Sequence, residues 1–107
     1  MKNINKLVEL TTEKLTLNVF RYGCDTKNYK ILNKLPATVK ELQSELDNIS
    51  KMPINKRLNE LEKVGLLERE KYKGNVKPTP LTKNFLNLIE HLKKEIVNEV
   101  PKYLNKI

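Results

Sequence analysis

The sequence has no tryptophan, one cysteine and only three glycines in 107 residues, and its one histidine is His91. A lone cysteine, Cys24, closes no disulfide within the chain, which fits a reducing cytoplasm. One cysteine and one histidine cannot complete a zinc ligand set, so no metal site is expected. With so few glycines there is no glycine-rich phosphate loop, and neither a nucleophile elbow nor a His–carboxylate constellation is present. No catalysis and no cofactor are expected. No apolar run approaches the roughly 18 residues of a membrane span, and the opening "MKNINKLVEL" is too polar for a secretory signal. No membrane partner is expected.

What the sequence does have is charge. Charged residues make up 32% of it against 38% hydrophobic, a balance that still permits one modest core, so a single domain over 1–107 is expected. Lysine and arginine number 21 against 13 acids, a net charge of +8 that points to a polyanionic partner, either nucleic acid or an acidic surface. Solubility alone is the plain alternative. Segregation of the charge counts against it. Residues 36–48 hold one lysine among Glu41, Glu45 and Asp47, whereas Arg69, Lys71, Lys73 and Lys77 face only Glu70 within 69–77.

Apolar spacing gives a coarse architecture. Ile4, Leu7, Val8, Leu15 and Val19 predict a helix over 3–19, with Thr11-Thr12 either interrupting it or capping a second one. "RYGCDT" reads as a loop, with Asp25 or Thr26 capping a short helix that stops at Pro36. Thr38 followed by Glu41 matches a capping box, and Val39, Leu42 and Leu46 make the stripe of the helix behind it. After the turn "DNIS", Ser50 is placed to cap a helix seated on Ile54, Leu58 and Leu61 and ended by Gly65. "LLERE" and "NVKPTP" then predict a hairpin turning at Gly74, its second strand kept short or at an edge by Pro78 and Pro80. Thr82 is read as the cap of the longest helix. Its stripe of Phe85, Leu88, Ile89, Leu92, Ile96 and Val100 is wider than one small core needs, and Pro101 ends or kinks it.

Two short helices joined by a tight turn and followed by a basic hairpin describe a helix-turn-helix with a wing. Such a unit works only if its second helix is gripped by an apolar face while the opposite side enters a major groove. At about 100° per residue, Ile54, Leu58 and Leu61 fall on one side and Met52, Asn55, Lys56, Asn59 and Lys63 on the other. Asparagine pairs with adenine edges, lysine with guanine, and methionine can touch a thymine methyl. Arg57 lies beside the stripe, suited either to an ion pair with the acidic helix before it or to a phosphate. Lys63 equally suits the helix C-terminus.

"ELQSEL", "IS", "RLNELEKVGLLER" and the later "LT" make the stretch over residues 28–100 resemble the winged-helix transcriptional regulators. The HxlR-like and MarR-like groups are most similar, with ArsR-like proteins as relatives. The resemblance implies a mainly α fold with a small β-hairpin, a winged helix-turn-helix core over about 28–81, and flanking helices over 1–20 and 82–107 that pair in a homodimer. It implies double-stranded DNA as the partner. Base-facing positions fall on Lys51, Met52, Asn55, Lys56 and Asn59, and wing contacts on Lys71, Lys73 and Lys77. A dimer seam follows along Phe85, Leu88, Ile89, Leu92, Ile96 and Val100. The wing is shorter than is usual in HxlR-like members, which favours phosphate over minor-groove contact. An effector of unknown identity is compatible with the resemblance, although no residue pattern marks a pocket for one. Two other uses of the fold stay open: a protein-interaction module, and an architectural DNA-binding protein with little sequence preference.

Overall fold

The computed structural model describes residues 2–70 and 74–104. In chain order its elements are α1 (Lys2–Gly23), α2 (Thr26–Lys34), β1 (Ala37–Thr38), α3 (Val39–Glu45), α4 (Lys51–Lys63), β2 (Glu68–Arg69), β3 (Asn75–Lys77), α5 (Pro80–Val97) and α6 (Val100–Leu104). The three strands form one antiparallel sheet in the order β1-β3-β2. Ala37 and Arg69 both pair with Val76, so the hairpin gains a third strand that sequence reasoning missed. Two residues are too few to display an alternating pattern, which is why β1 left no trace.

The core lies under this sheet, among α2, α3 and α4. Ile31, Leu32, Leu42, Ile54, Leu58, Leu61, Leu66, Leu67 and Val76 are buried there, and Phe85 reaches in from α5. Its ring meets Phe20 of α1 edge-on, with centroids 5.7 Å apart.

Most helix ends fall where capping chemistry places them. Asp25 caps α2 by accepting from the N–H groups of Lys27 and Asn28 at 3.0 and 3.1 Å. Thr38 accepts from the Glu41 N–H at 3.2 Å while its backbone pairs in β1. At the end of α4, Gly65 takes φ +86°. Its N–H bonds to the Glu62 carbonyl and that of Leu66 to the Leu61 carbonyl, the paired bonds of a Schellman cap. The turn between α3 and α4 carries Asp47 and Asn48 at φ 59° and 60°, a conformation that these two residue types tolerate better than most.

Four expectations change. Helix α1 runs unbroken through Thr11-Thr12, because the Thr12 and Thr16 hydroxyls bond back to the Val8 and Thr12 carbonyls, both at 2.7 Å, instead of capping a new helix. It also continues to Gly23, through half of the presumed loop. Ser50 occupies the N-cap position of α4 without a side-chain cap bond, and one of the usual donors is missing because the third helical residue is Pro53. Thr79, not Thr82, caps α5, with Pro80 in the first turn where its missing N–H costs nothing. Thr82 answers from inside: its hydroxyl accepts from the Thr79 N–H at 2.9 Å and donates to the Leu66 carbonyl.

Outside the core, the helices reach outward. The Cα radius of gyration is 16.9 Å, against about 13 Å for a compact chain of this size. Most of α1 up to Leu17 and nearly all of α5 and α6 beyond Ile89 are exposed. After Val97 the chain makes a turn at Asn98 and Glu99 and resumes as α6 with Pro101 inside its first turn.

Gly23 supplies a test of the core. A Cβ placed there would lie 2.6 Å from the Phe85 ring, and Phe85 is only 4% exposed. Gly23→Ala, ordinarily favourable in a helix by about 1 kcal/mol, is expected instead to destabilise by about 1–3 kcal/mol through overpacking. Urea unfolding measures this, and an unchanged or higher midpoint would contradict the packing of α1 on α5.

Candidate nucleic-acid interface

Helix α4 has the two faces that its sequence predicts. Ile54, Leu58 and Leu61 are completely buried, and Met52 is 84% exposed. Lys51, Lys56, Asn59 and Lys63 are exposed and Asn55 is half-buried. No ion pair among the described residues involves Lys51, Lys56 or Lys63.

The two asparagines are not free side chains. Arg69 of β2 donates from Nη2 to Asn55 Oδ1 and from Nη1 to Asn59 Oδ1, each at 2.9 Å. The Arg69 backbone N–H donates to Glu62 Oε2 at 3.1 Å. Positions 55, 59 and 62 share one helical face, so the wing strand is fastened along the side of α4.

Arg57 takes the structural role of its two readings, but with a different partner. Its guanidinium meets Asp25 at 2.8 Å and Asn28 Oδ1 at 3.0 Å, at the start of α2, rather than the acidic residues of α3. Asn28 is 2% exposed and donates from Nδ2 to the Tyr22 carbonyl of α1 at 2.9 Å. One amide therefore links the end of α1 to α4. Nothing in the sequence marks Asn28 for this duty, since its bonds cross 6 and 29 positions.

In the wing, Lys77 forms an ion pair with Glu70, which also accepts from Asn75 Nδ2 at 3.2 Å. The bond from Lys77 holds the Glu70 carboxyl below its ordinary value, with Asn75 assisting. Lys77, expected to face phosphate, is thus already balanced within the protein. Lys71 and Lys73, with Tyr72 between them, lie outside the described residues. Lys40 is the one lysine among acidic neighbours in residues 36–48. It lines a shallow depression with Val39, Gln43, Lys51 and Gly74, where α3, the start of α4 and the wing converge.

The expected seam divides. Phe85 belongs to the core of its own chain and Ile89 packs half-buried against it, whereas Leu88, Leu92, Ile96 and Val100 are 38–55% exposed. On α1, Ile4, Leu7, Val8 and Leu15 are 58–64% exposed. An apolar cleft lined by Val19, Phe20, Leu81 and Leu88 opens between α1 and α5.

Helices α3 and α4 joined by a tight turn, with β2 and β3 alongside as a hairpin, form a winged helix-turn-helix. Among solved structures, this architecture is similar to the crystal structure of transcriptional regulator Tm0710 from Thermotoga maritima, with a TM-score of 0.55 over 99% of this chain and 92% of that one. Identity is 16%, which establishes a shared fold. No protein-family model and no curated protein matches the sequence.

The network at Asp25 yields a pH test. The Asn28 N–H bond chiefly holds the Asp25 carboxyl below its ordinary 3.8, with partial burial opposing and Arg57 reinforcing. Because the folded value is depressed, its stabilisation is present above the unfolded value and lost as pH falls from about 4 downward. Asp25→Ala is expected to cost about 0.5–2 kcal/mol at neutral pH through the lost cap. Asp25→Asn should keep the cap and weaken the acid sensitivity of thermal unfolding below pH ~4. An unaltered acid limb in Asp25→Asn would remove this carboxylate from the account.

Proposed function

We propose that this protein is a dimeric transcriptional regulator that acts in the cytoplasm on specific double-stranded DNA sites. In this reading α4 enters the major groove and the wing lies along the backbone or minor groove. The observation that carries the proposal is the outer face of α4. An 84% exposed methionine, two lysines (Lys56 and Lys63) that form no ion pair among the described residues, and two oriented amides stand on a helix whose inner face is wholly buried. A helix held so firmly on one side can present the other without moving, which is what base reading requires.

Lys56, Asn55 and Asn59 are assigned to base edges, and Met52 to a thymine methyl. Lys51, a base-facing position in the sequence resemblance, lines one depression with Lys40, and both are assigned here to phosphates together with Lys71, Lys73 and Lys77. For Lys77, a phosphate would have to compete with Glu70. Dimerisation is supported by the exposed aliphatic residues of α1, α5 and α6, which a second copy would cover. It would set two α4 helices at the spacing of successive grooves.

Anisotropy of labelled duplexes, first a random pool and then sequences enriched from it, tests the assignment. Binding is expected to fall steeply with salt, and enriched duplexes should survive bulk competitor DNA by a factor of about 10³ or more. Lys56→Ala should weaken an enriched site by about 1–3 kcal/mol. Lys40→Ala should weaken all sequences alike and lower the salt slope by about one. Absence of binding at low salt would favour a protein-interaction module, and equal binding to every duplex an architectural role. Sedimentation should give twice the 12.5 kDa of the chain. A monomer at micromolar concentration would refute the dimer.

A further inference from the structure

The contact between Arg69 and the two asparagines has a chemical consequence. A guanidinium has only donors, so Asn55 and Asn59 must each turn the amide oxygen toward Arg69. The orientation of both amides follows from donor–acceptor chemistry. Their NH₂ groups, which bond to no group among the described residues, are then the ends available to an outside partner.

Free asparagine recognises adenine with both ends of the amide: oxygen accepts from N6 while nitrogen donates to N7. An asparagine whose oxygen is turned to Arg69 has that oxygen's direction and one of its two lone pairs taken, so the donating NH₂ dominates what it offers a base. Guanine offers two acceptors at N7 and O6 and thymine one at O4, whereas adenine sets its own N6 donor beside N7. Lys56, on the same side of α4, is a donor as well.

We infer that Arg69 is a positioning residue that sets the sequence preference of α4. By holding the oxygens of Asn55 and Asn59, it makes this helix a donor face for acceptor-rich base edges, guanine foremost and thymine next, and turns it away from adenine. The inference rests on the DNA-reading role proposed above and deepens it. It also reverses the adenine pairing that asparagine suggests from sequence alone. Held at three points on α4, Arg69 is a brace inside the protein, not a side chain extended toward a phosphate.

The test is enrichment from a randomised duplex pool with wild type, Arg69→Met, Arg69→Lys, Asn55→Ala and Asn59→Ala, each verified as folded by circular dichroism. The asparagine variants identify the base pairs that each amide reads. Wild type is expected to select guanine or thymine there, and exchange for adenine should weaken binding about tenfold or more. Arg69→Met, with no donor, frees the amides. Arg69→Lys keeps the charge but cannot fork to both oxygens. In both, the preference over adenine is expected to collapse to about threefold or less while bulk-DNA affinity stays within about threefold for Arg69→Lys.

Selection of adenine by wild type at those positions would overturn the inference while leaving the DNA-reading role intact. So would Arg69 variants that weaken every duplex equally with the preference unchanged, since that is the behaviour of a phosphate contact. If wild type binds no duplex, or all equally, the DNA-reading role itself falls and takes this inference with it.

Discussion

Ile54, Leu58 and Leu61 are entirely removed from solvent, and the placement of the rest of α4 depends on that burial. The hydrophobic effect is non-directional, so three aliphatic side chains fix which side of the helix faces inward without fixing how far it is rotated or slid. Their spacing nevertheless leaves only one broad arc of the helix in solvent, the arc of Met52, Lys56 and Lys63. A different seating of α4 would expose an aliphatic residue and bury a lysine. Either change is costly compared with the few kcal/mol that separate folded from unfolded domains.

Directional bonds supply the remaining precision, and they come from both flanks of the helix. On one side, Arg57 reaches Asp25 and the buried Asn28, which in turn holds the Tyr22 carbonyl of α1. On the other, Arg69 fastens β2 to Asn55, Asn59 and Glu62. At the end of α4 the Gly65 and Leu66 carbonyls accept from Thr79 and Thr82, so the last turn of α4 and the first of α5 share one hydrogen-bonded joint. Unpaired buried groups are expensive, and no buried side-chain nitrogen or oxygen among the described residues is left without a partner. In the proposed reading, a face held on both flanks leaves little ordering to oppose binding.

The helices away from the core follow the opposite logic. On α1, α5 and α6, aliphatic residues stand in solvent on elements that a single chain does not cover. Exposed apolar surface on otherwise polar helices is the kind that interfaces cover. In the proposed reading a second copy of the chain would cover it and set the spacing of the two α4 helices. Rigidity at α4 and incompleteness at the arms therefore serve one function in the proposed reading.

The sequence by itself determined the helices with strong periodicity and the ends marked by chemistry. Helix α4, its inner and outer faces, the Thr38 cap and the Gly65 stop depend on residues a few positions apart, and local spacing reports them directly, while it left the cap of α2 between Asp25 and Thr26. Tertiary structure decided what depends on distant residues. The strand Ala37–Thr38 exists because β3 lies beside it, and position 23 is a glycine because a Cβ there would collide with the Phe85 ring. Thr82 turns inward because a carbonyl 16 positions away requires a donor. Likewise, the fold chose Asp25 and Asn28 for Arg57 over the nearer acids of α3, and Glu70 for Lys77. The amides of Asn55 and Asn59 show the division most clearly. Their place on the outer side of α4 is a matter of helical period, but which end of each amide faces outward was decided by Arg69, a residue 10 and 14 positions along the chain. A hydrogen bond depends on distance and direction in space, and sequence spacing carries neither across a turn and a strand.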